Sequence, residues 1–160
     1  MTPRLLPEQP SFESAAEEAA WTSLRDQLPD GSTLISNLAL VSDAGDAEAD
    51  LVVLWPDVGI ATIEVKGGRI SRAVDGSWTQ TSSGQTRTID PVYQSRKCRY
   101  ALRQFIRAKT SLHDLRMTHL VAFPYASIDG EFDAPDAPRW MILDRTDLEQ
   151  FAADRVASAL

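Results

Sequence analysis

The stretch "ADLVVLWPDVGIATIEV", residues 49–65, constrains this chain more than any other. Both halves are apolar at nearly every step instead of alternating, which is how strands read when a sheet is covered on both faces. The "PDVG" between them makes a hairpin, and Pro56-Asp57 and Gly59 keep the run below the roughly 20 apolar residues that a membrane helix needs. A sheet covered on both sides requires helices, and the flanks supply them. Ser14 followed by Glu17 has the spacing of a capping box, and Glu17, Trp21, Leu24 and Leu28 share a face; together they predict a helix over 14–28, stopped by Pro29-Asp30-Gly31. Asp90 before Pro91 caps a second helix running to about Lys109, and a third closes the chain from Asp147. "STLISNLAL", "THLVAF" and "RWMIL" read as strands, and "SDAGDAEA" as an acidic loop. "GRISRAV" and "SWTQT" flank Asp75-Gly76 as a second hairpin, followed by a polar loop. The first ten residues, with three prolines, form an extended lead-in. This order is that of an α/β sandwich with a mixed sheet. With 160 residues, 43% of them hydrophobic, one domain over 11–160 is expected. The single cysteine, Cys98, excludes an internal disulfide and is expected in the core, and no secretory leader is visible, so a cytoplasmic chain is expected.

The second strand ends in "EVKGG", placing a carboxylate, Glu64, and an ammonium, Lys66, on one face. If the hairpin loop is Asp57-Val58-Gly59, with Gly59 left-handed, Asp50 stands opposite Lys66 and Val52 opposite Glu64, and the three charged groups form one cluster. A loop one residue longer or shorter would send Asp50 to the opposite face. Two adjacent carboxylates raise each other's pKa unless a cation lies between them, and Mg²⁺ is usually held by one or two carboxylates plus water and phosphate. A lysine beside such an ion can donate to charge developing on a phosphoryl oxygen.

Asp50 followed, after a hairpin, by Glu64-Val65-Lys66 resembles the aspartate and (Asp/Glu)-x-Lys pattern of the restriction-endonuclease-like nuclease superfamily. The longer strings "SAAEEAAWTSL", "EADLVVLWPDVGIATIEVKGG" and "IDPVYQ" resemble the nuclease-related (NERD) domain over about residues 11–107. The resemblance implies a restriction-endonuclease-like α/β sandwich and metal-dependent hydrolysis of nucleic acid, DNA first. It implies Asp50, Glu64 and the Val65 carbonyl as ligands of Mg²⁺ or Mn²⁺, Lys66 as the electrostatic donor, and Glu17 and Gln94 as further site residues. It also implies a helicase-like or kinase-like module beside the domain in a longer protein. The proline usual before the aspartate is absent here, and Pro56-Asp57 is a decoy lying in the turn.

Other readings of the same residues stay open. Glu64 and Lys66 make an ordinary strand-end ion pair, Glu17 an ordinary capping residue, and Gln94, on one helical face with Cys98, Ala101 and Phe105, a buried amide bonded to backbone. His113 and His119 lack metal-ligand spacing, and no phosphate-cradling loop suggests a small-molecule enzyme. The net charge of −7 opposes general attraction to nucleic acid, but it is unevenly spread. Residues 1–60 hold eleven acidic and two basic side chains, whereas 87–109 hold seven basic ones and Asp90 alone. Arg96, Arg99, Arg103 and Arg107 form a stripe on the second helix that fits either solvent or phosphates. A noncatalytic nucleic-acid-binding or partner-docking module on the same fold is the alternative function.

Overall fold

The computed structural model describes residues 2–160. In chain order the elements are β1 (Arg4–Leu6), α1 (Ala15–Gln27), β2 (Thr33–Ser42), β3 (Gly45–Trp55), β4 (Gly59–Val65), β5 (Arg69–Arg72), β6 (Trp78–Ser82), β7 (Gln85–Ile89), α2 (Pro91–Lys109), β8 (Met117–Ala122), β9 (Ile142–Leu143), α3 (Arg145–Gln150) and α4 (Ala152–Ala159). Six strands form a mixed sheet in the order β1-β2-β3-β4-β8-β9, and β5-β6-β7 form a small sheet of their own. β2, β3 and β4 are antiparallel, whereas β8 joins β4 in parallel. Helices cover both faces. On one, α1, α3 and α4 close over Leu51, Val53, Ala61 and Ile63; on the other, α2 lays Cys98, Ala101 and Leu102 on Val52, Ile60 and Met117. This is the restriction-endonuclease-like sandwich that the sequence implied, and it explains why β3 and β4 read as unbroken apolar runs.

Ser14 caps α1 by accepting from the Glu17 N–H at 3.2 Å, and Asp90 caps α2 by accepting from the Tyr93 N–H. α2 spans the expected residues, with Pro91 in its first turn where a missing N–H costs nothing. Ser95 fixes its direction: its Oγ donates to the Leu120 carbonyl at 2.8 Å, and Thr62 Oγ1 donates to the Ser95 carbonyl at 3.0 Å. Leu102 lies at the other end of the same face with Ile60 and Met117, so α2 runs antiparallel to β4 and its N-terminus lies at the Glu64 end of the strand.

Several expectations need correction. The lead-in contains β1, paired in parallel with β2, because Arg4-Leu5-Leu6 lies between prolines and can use the free edge of β2. The "acidic loop" is a tight turn at Asp43-Ala44 inside a long β2–β3 hairpin; exposed acids on the solvent face concealed the pairing. The polar loop after β6 holds β7, reached through Ser83-Gly84, both at positive φ. The closing helix begins at Arg145, since Asp144 is its cap and Asp147 the third residue of a reciprocal capping box, and it is divided at Phe151. Gln94 is exposed, not inward, and Phe105 is half-exposed: the buried face of α2 runs through Val92, Ser95, Cys98 and Leu102.

The β3–β4 hairpin is shifted by two residues from the expected pairing. Its loop is Pro56-Asp57-Val58, with Asp57 left-handed at φ 64 and Gly59 already paired with Trp55. A step of two preserves parity, so the charged residues keep their common face while their partners change. Continuing the ladder one step past Leu51↔Ile63 brings Asp50 opposite Glu64, not opposite Lys66.

Candidate active site

The candidate site forms where β3 leaves its neighbours. Asn37 of β2 adopts φ 54, and neither Asn37 nor Asp50, which would face it, takes part in the ladder. Asparagine is among the few residues that visit this left-handed geometry, and here its Nδ2 also ties the strand to the distant segment before α1, donating to the Ser11 carbonyl at 2.8 Å. Side chains exchange faces across the break. Leu34 and Leu51 belong to the α1 side, whereas Leu38, Leu40 and Ala49 belong to the α2 side. Asp50, freed from regular pairing, turns its Oδ2 to accept the Val65 N–H at 2.8 Å. In an extended strand a residue's N–H and C=O leave on the same side, so the Val65 carbonyl opens into the same gap.

Glu64 is buried at the end of β4, and the Lys66 Nζ lies 3.2 Å from its Oε1. Glu17 projects from the first turn of α1 and is itself buried, with only 8% of its surface exposed. Gly67 makes this approach possible: a Cβ there would lie 2.8 Å from the Cβ of Ala16, so only glycine lets α1 rest on the strand end. Gly67 is also fastened to the small sheet, its carbonyl accepting from Gln80 Nε2 at 2.8 Å.

The electrostatics are those of an acid cluster short of positive charge. Burial and then the charge of Glu64 push the Asp50 carboxyl up to about 7, against the pull of the Val65 N–H and Lys66. Glu64 is also raised, by burial, while Lys66 opposes the shift and Glu17 adds to it. Glu17 is raised by burial and by Asp50. Asp50 and Glu64 are close enough for a proton on one to bond the other. One lysine beside two buried carboxylates and the partly buried Asp50 leaves the group unbalanced, and carboxylate and carbonyl oxygens are what a hard divalent cation takes. Among the described residues no three Asp, Glu, His or Cys side chains converge on a single point as a metal cage does; Asp50 and Glu64 fit a two-carboxylate site completed by the Val65 carbonyl and water.

Asp50, Glu64, Lys66 and Glu17 are brought together, then, and Gln94 is not. It lies exposed on the first turns of α2, at the same end of the sheet but without a hydrogen bond to the four. Reading the sequence missed Glu48, whose charge reaches Asp50, Glu17 and Cys98; its signal was a second acid only two residues before Asp50. Cys98 is buried as expected, and burial pushes its thiol up to about 11. Arg96 and Arg107 are exposed, Arg99 and Arg103 partly so, and among the described residues none of the four is ion-paired. A large concavity lies elsewhere, between the C-terminal half of α2 and the β3–β4 turn; its walls are mainly apolar, with Val52, Leu54, Phe105 and Leu112 among them, and hold none of the acids of the cluster. No helix is long and apolar enough to cross a membrane among the described residues.

No curated protein and no solved structure matches this sequence. Residues 13–124 match the nuclease-related domain, a span that includes α1, the acid cluster and all of α2. The chain therefore belongs to the nuclease-related domain family.

Proposed function

We propose that the domain is a metal-dependent nuclease that hydrolyses phosphodiester bonds, with DNA as its first substrate. The observation that carries this reading is the meeting of Asp50 and Glu64 beside the Lys66 ammonium, with Glu17 close to both acids and all three carboxyls raised, first by burial and then by one another's charge. Asp50, Glu64 and the Val65 carbonyl would hold Mg²⁺ or Mn²⁺, and such an ion, when bound, supplies charge to the phosphate and a more acidic water. The residues of the chain do the rest. The Val65 N–H holds the Asp50 carboxylate in place, so the site is oriented before anything binds. Lys66, anchored on Glu64, can turn its remaining N–H groups toward charge developing on a phosphoryl oxygen. Glu17, held on a rigid helix, adds negative charge suited to a second ion or its water. Gln94, on the first turns of α2 at the Glu64 end of the sheet, and the arginines that continue along the helix would contact the nucleic acid outside the reacting centre.

The alternative, a noncatalytic nucleic-acid-binding module, draws on the lack of a three-carboxylate cage among the described residues. Nicking of supercoiled plasmid with Mg²⁺ or Mn²⁺ decides between them. Cleavage by the wild type, lost in Lys66→Ala, supports the nuclease; no cleavage of DNA or RNA with either ion, or equal cleavage by Lys66→Ala, supports the binding module.

A further inference from the structure

The solvent-facing side of α2 interleaves arginine with tyrosine. Tyr93, Arg96, Tyr100, Arg103 and Arg107 recur at i, i+3, i+7, i+10 and i+14, opposite the buried Ser95, Cys98 and Leu102. Tyr93 is 50% and Tyr100 59% exposed. The Arg96 guanidinium lies 5.8 Å from the Tyr93 ring and that of Arg99 4.9 Å from the Tyr100 ring, so each tyrosine is braced by a cation and stays exposed. The arginines have no acidic partners among the described residues, and Arg99 Nε and His119 Nδ1 of the adjoining β8 are buried without a hydrogen-bond partner.

We propose that this face of α2 binds single-stranded nucleic acid, bases stacking on Tyr93 and Tyr100 while Arg96, Arg99, Arg103 and Arg107 take the phosphates. The inference rests on the nucleic-acid reading above and names its substrate class. A duplex hides the faces of its bases and would leave both rings without partners, whereas alternating aromatic and basic side chains are how single strands are held without sequence preference. Seven helical residues separate the rings by about 10 Å along the axis, the length of roughly three stacked bases. α2 runs antiparallel to β4, so a strand lying along it toward Tyr93 is led to the end of the sheet that holds Glu64 and Lys66.

The test is fluorescence anisotropy in EDTA, which separates binding from cleavage, using labelled oligothymidine and a hairpin duplex of equal length. Wild type should bind the single strand about tenfold tighter than the duplex. Tyr93→Ala/Tyr100→Ala should lose about tenfold or more for the single strand, with duplex affinity and salt slope unchanged, and Tyr93→Phe/Tyr100→Phe should retain wild-type binding. Equal binding of the two nucleic acids, binding of neither, or single-strand affinity unchanged in the alanine pair would overturn the proposal. Tyrosine-dependent binding by a wild type that cleaves nothing in Mg²⁺ or Mn²⁺ upholds the platform and overturns the nuclease. Cleavage that is indifferent to the tyrosines does the reverse.

Discussion

Replacing Asp50 with asparagine should stabilise this protein at alkaline pH. The amide would keep an oxygen for the Val65 N–H but lose the charge that Asp50 must carry, partly buried beside Glu64. A carboxyl at about 7 in the fold and 3.8 in the unfolded chain holds its proton more tightly when folded, so its contribution is full below pH 3.8 and is lost as pH rises through 7. Between pH 5 and 8 that loss integrates to roughly 2–3 kcal/mol. His119 works in the opposite sense. Burial, with Arg99 and Arg96 nearby, pulls its pKa from 6.5 down to about 4, so stability rises with pH across that window by roughly 2 kcal/mol above pH 5. The two effects nearly cancel in the wild type between pH 5 and 6.5, and Asp50 prevails above. The informative quantity is therefore the difference between Asp50→Asn and wild type, near zero at pH 5 and roughly 2–3 kcal/mol at pH 8. For a chain of this length that is a rise of about 5–10 °C in Tm. Circular dichroism melts in EDTA at a series of pH values would measure it; a difference that does not grow with pH would refute the reasoning.

Four further outcomes follow from the same geometry. Added Mg²⁺ should raise the wild-type Tm at pH 8 and leave that of Asp50→Asn nearly unmoved, since a ligand that binds only the folded state stabilises it; equal shifts in calorimetry would remove Asp50 from the ion's ligands. Lys66→Ala should lose at least about a hundredfold in cleavage rate while keeping metal and oligonucleotide binding, as single-turnover kinetics and titration calorimetry would report. Arg99→Glu/Arg103→Glu should weaken nucleic-acid binding and reduce the salt slope by about one unit per lost phosphate contact; an unchanged slope assigns the stripe to solvent. Gly67→Ala should force α1 away from the strand end, costing about 1–3 kcal/mol and some cleavage activity, with partial recovery on adding Ala16→Gly; a melt and a plasmid assay of the single and double variants would show it.

Where local chemistry decides, the sequence was legible. Asp90-Pro91 carries both the cap and the permitted proline of α2, and its start was read to the residue. The apolar β3 and β4 announced a sheet covered on both faces because nothing else explains the missing alternation. Glu64 and Lys66 needed only a period of two. Harder were features set by partners distant in sequence. The left-handed residue in the β3–β4 turn is Asp57, where glycine is the usual choice, and that displaced the pairing by two while parity still placed Asp50 correctly. β1 exists because β2 offers a free edge, which no local signal reports. Gln94 was assigned inward from its spacing to Cys98, but the axis of the buried face is set by Ser95, whose hydroxyl and carbonyl are tied to β4 and β8. The break at Asn37, which frees Asp50, left no mark beyond the asparagine itself.

α1 behaves as a short beam pinned at both ends. At its far end Gln27 clasps the joint between α3 and α4, donating to the Leu148 carbonyl at 2.6 Å and accepting from the Ala152 N–H at 2.7 Å. At its near end Ala16 bears on Gly67, and Glu17 overhangs the acid cluster. A helix of 13 residues is stiff over its roughly 20 Å, so a displacement at the clasp arrives at Glu17 little diminished. The clasp lies in residues 148–152, beyond the 13–124 that match the family. The position of one acid of the cluster is thus tied to a segment that the family pattern does not cover, so loosening the clasp, which touches none of the site residues, would be felt at Glu17.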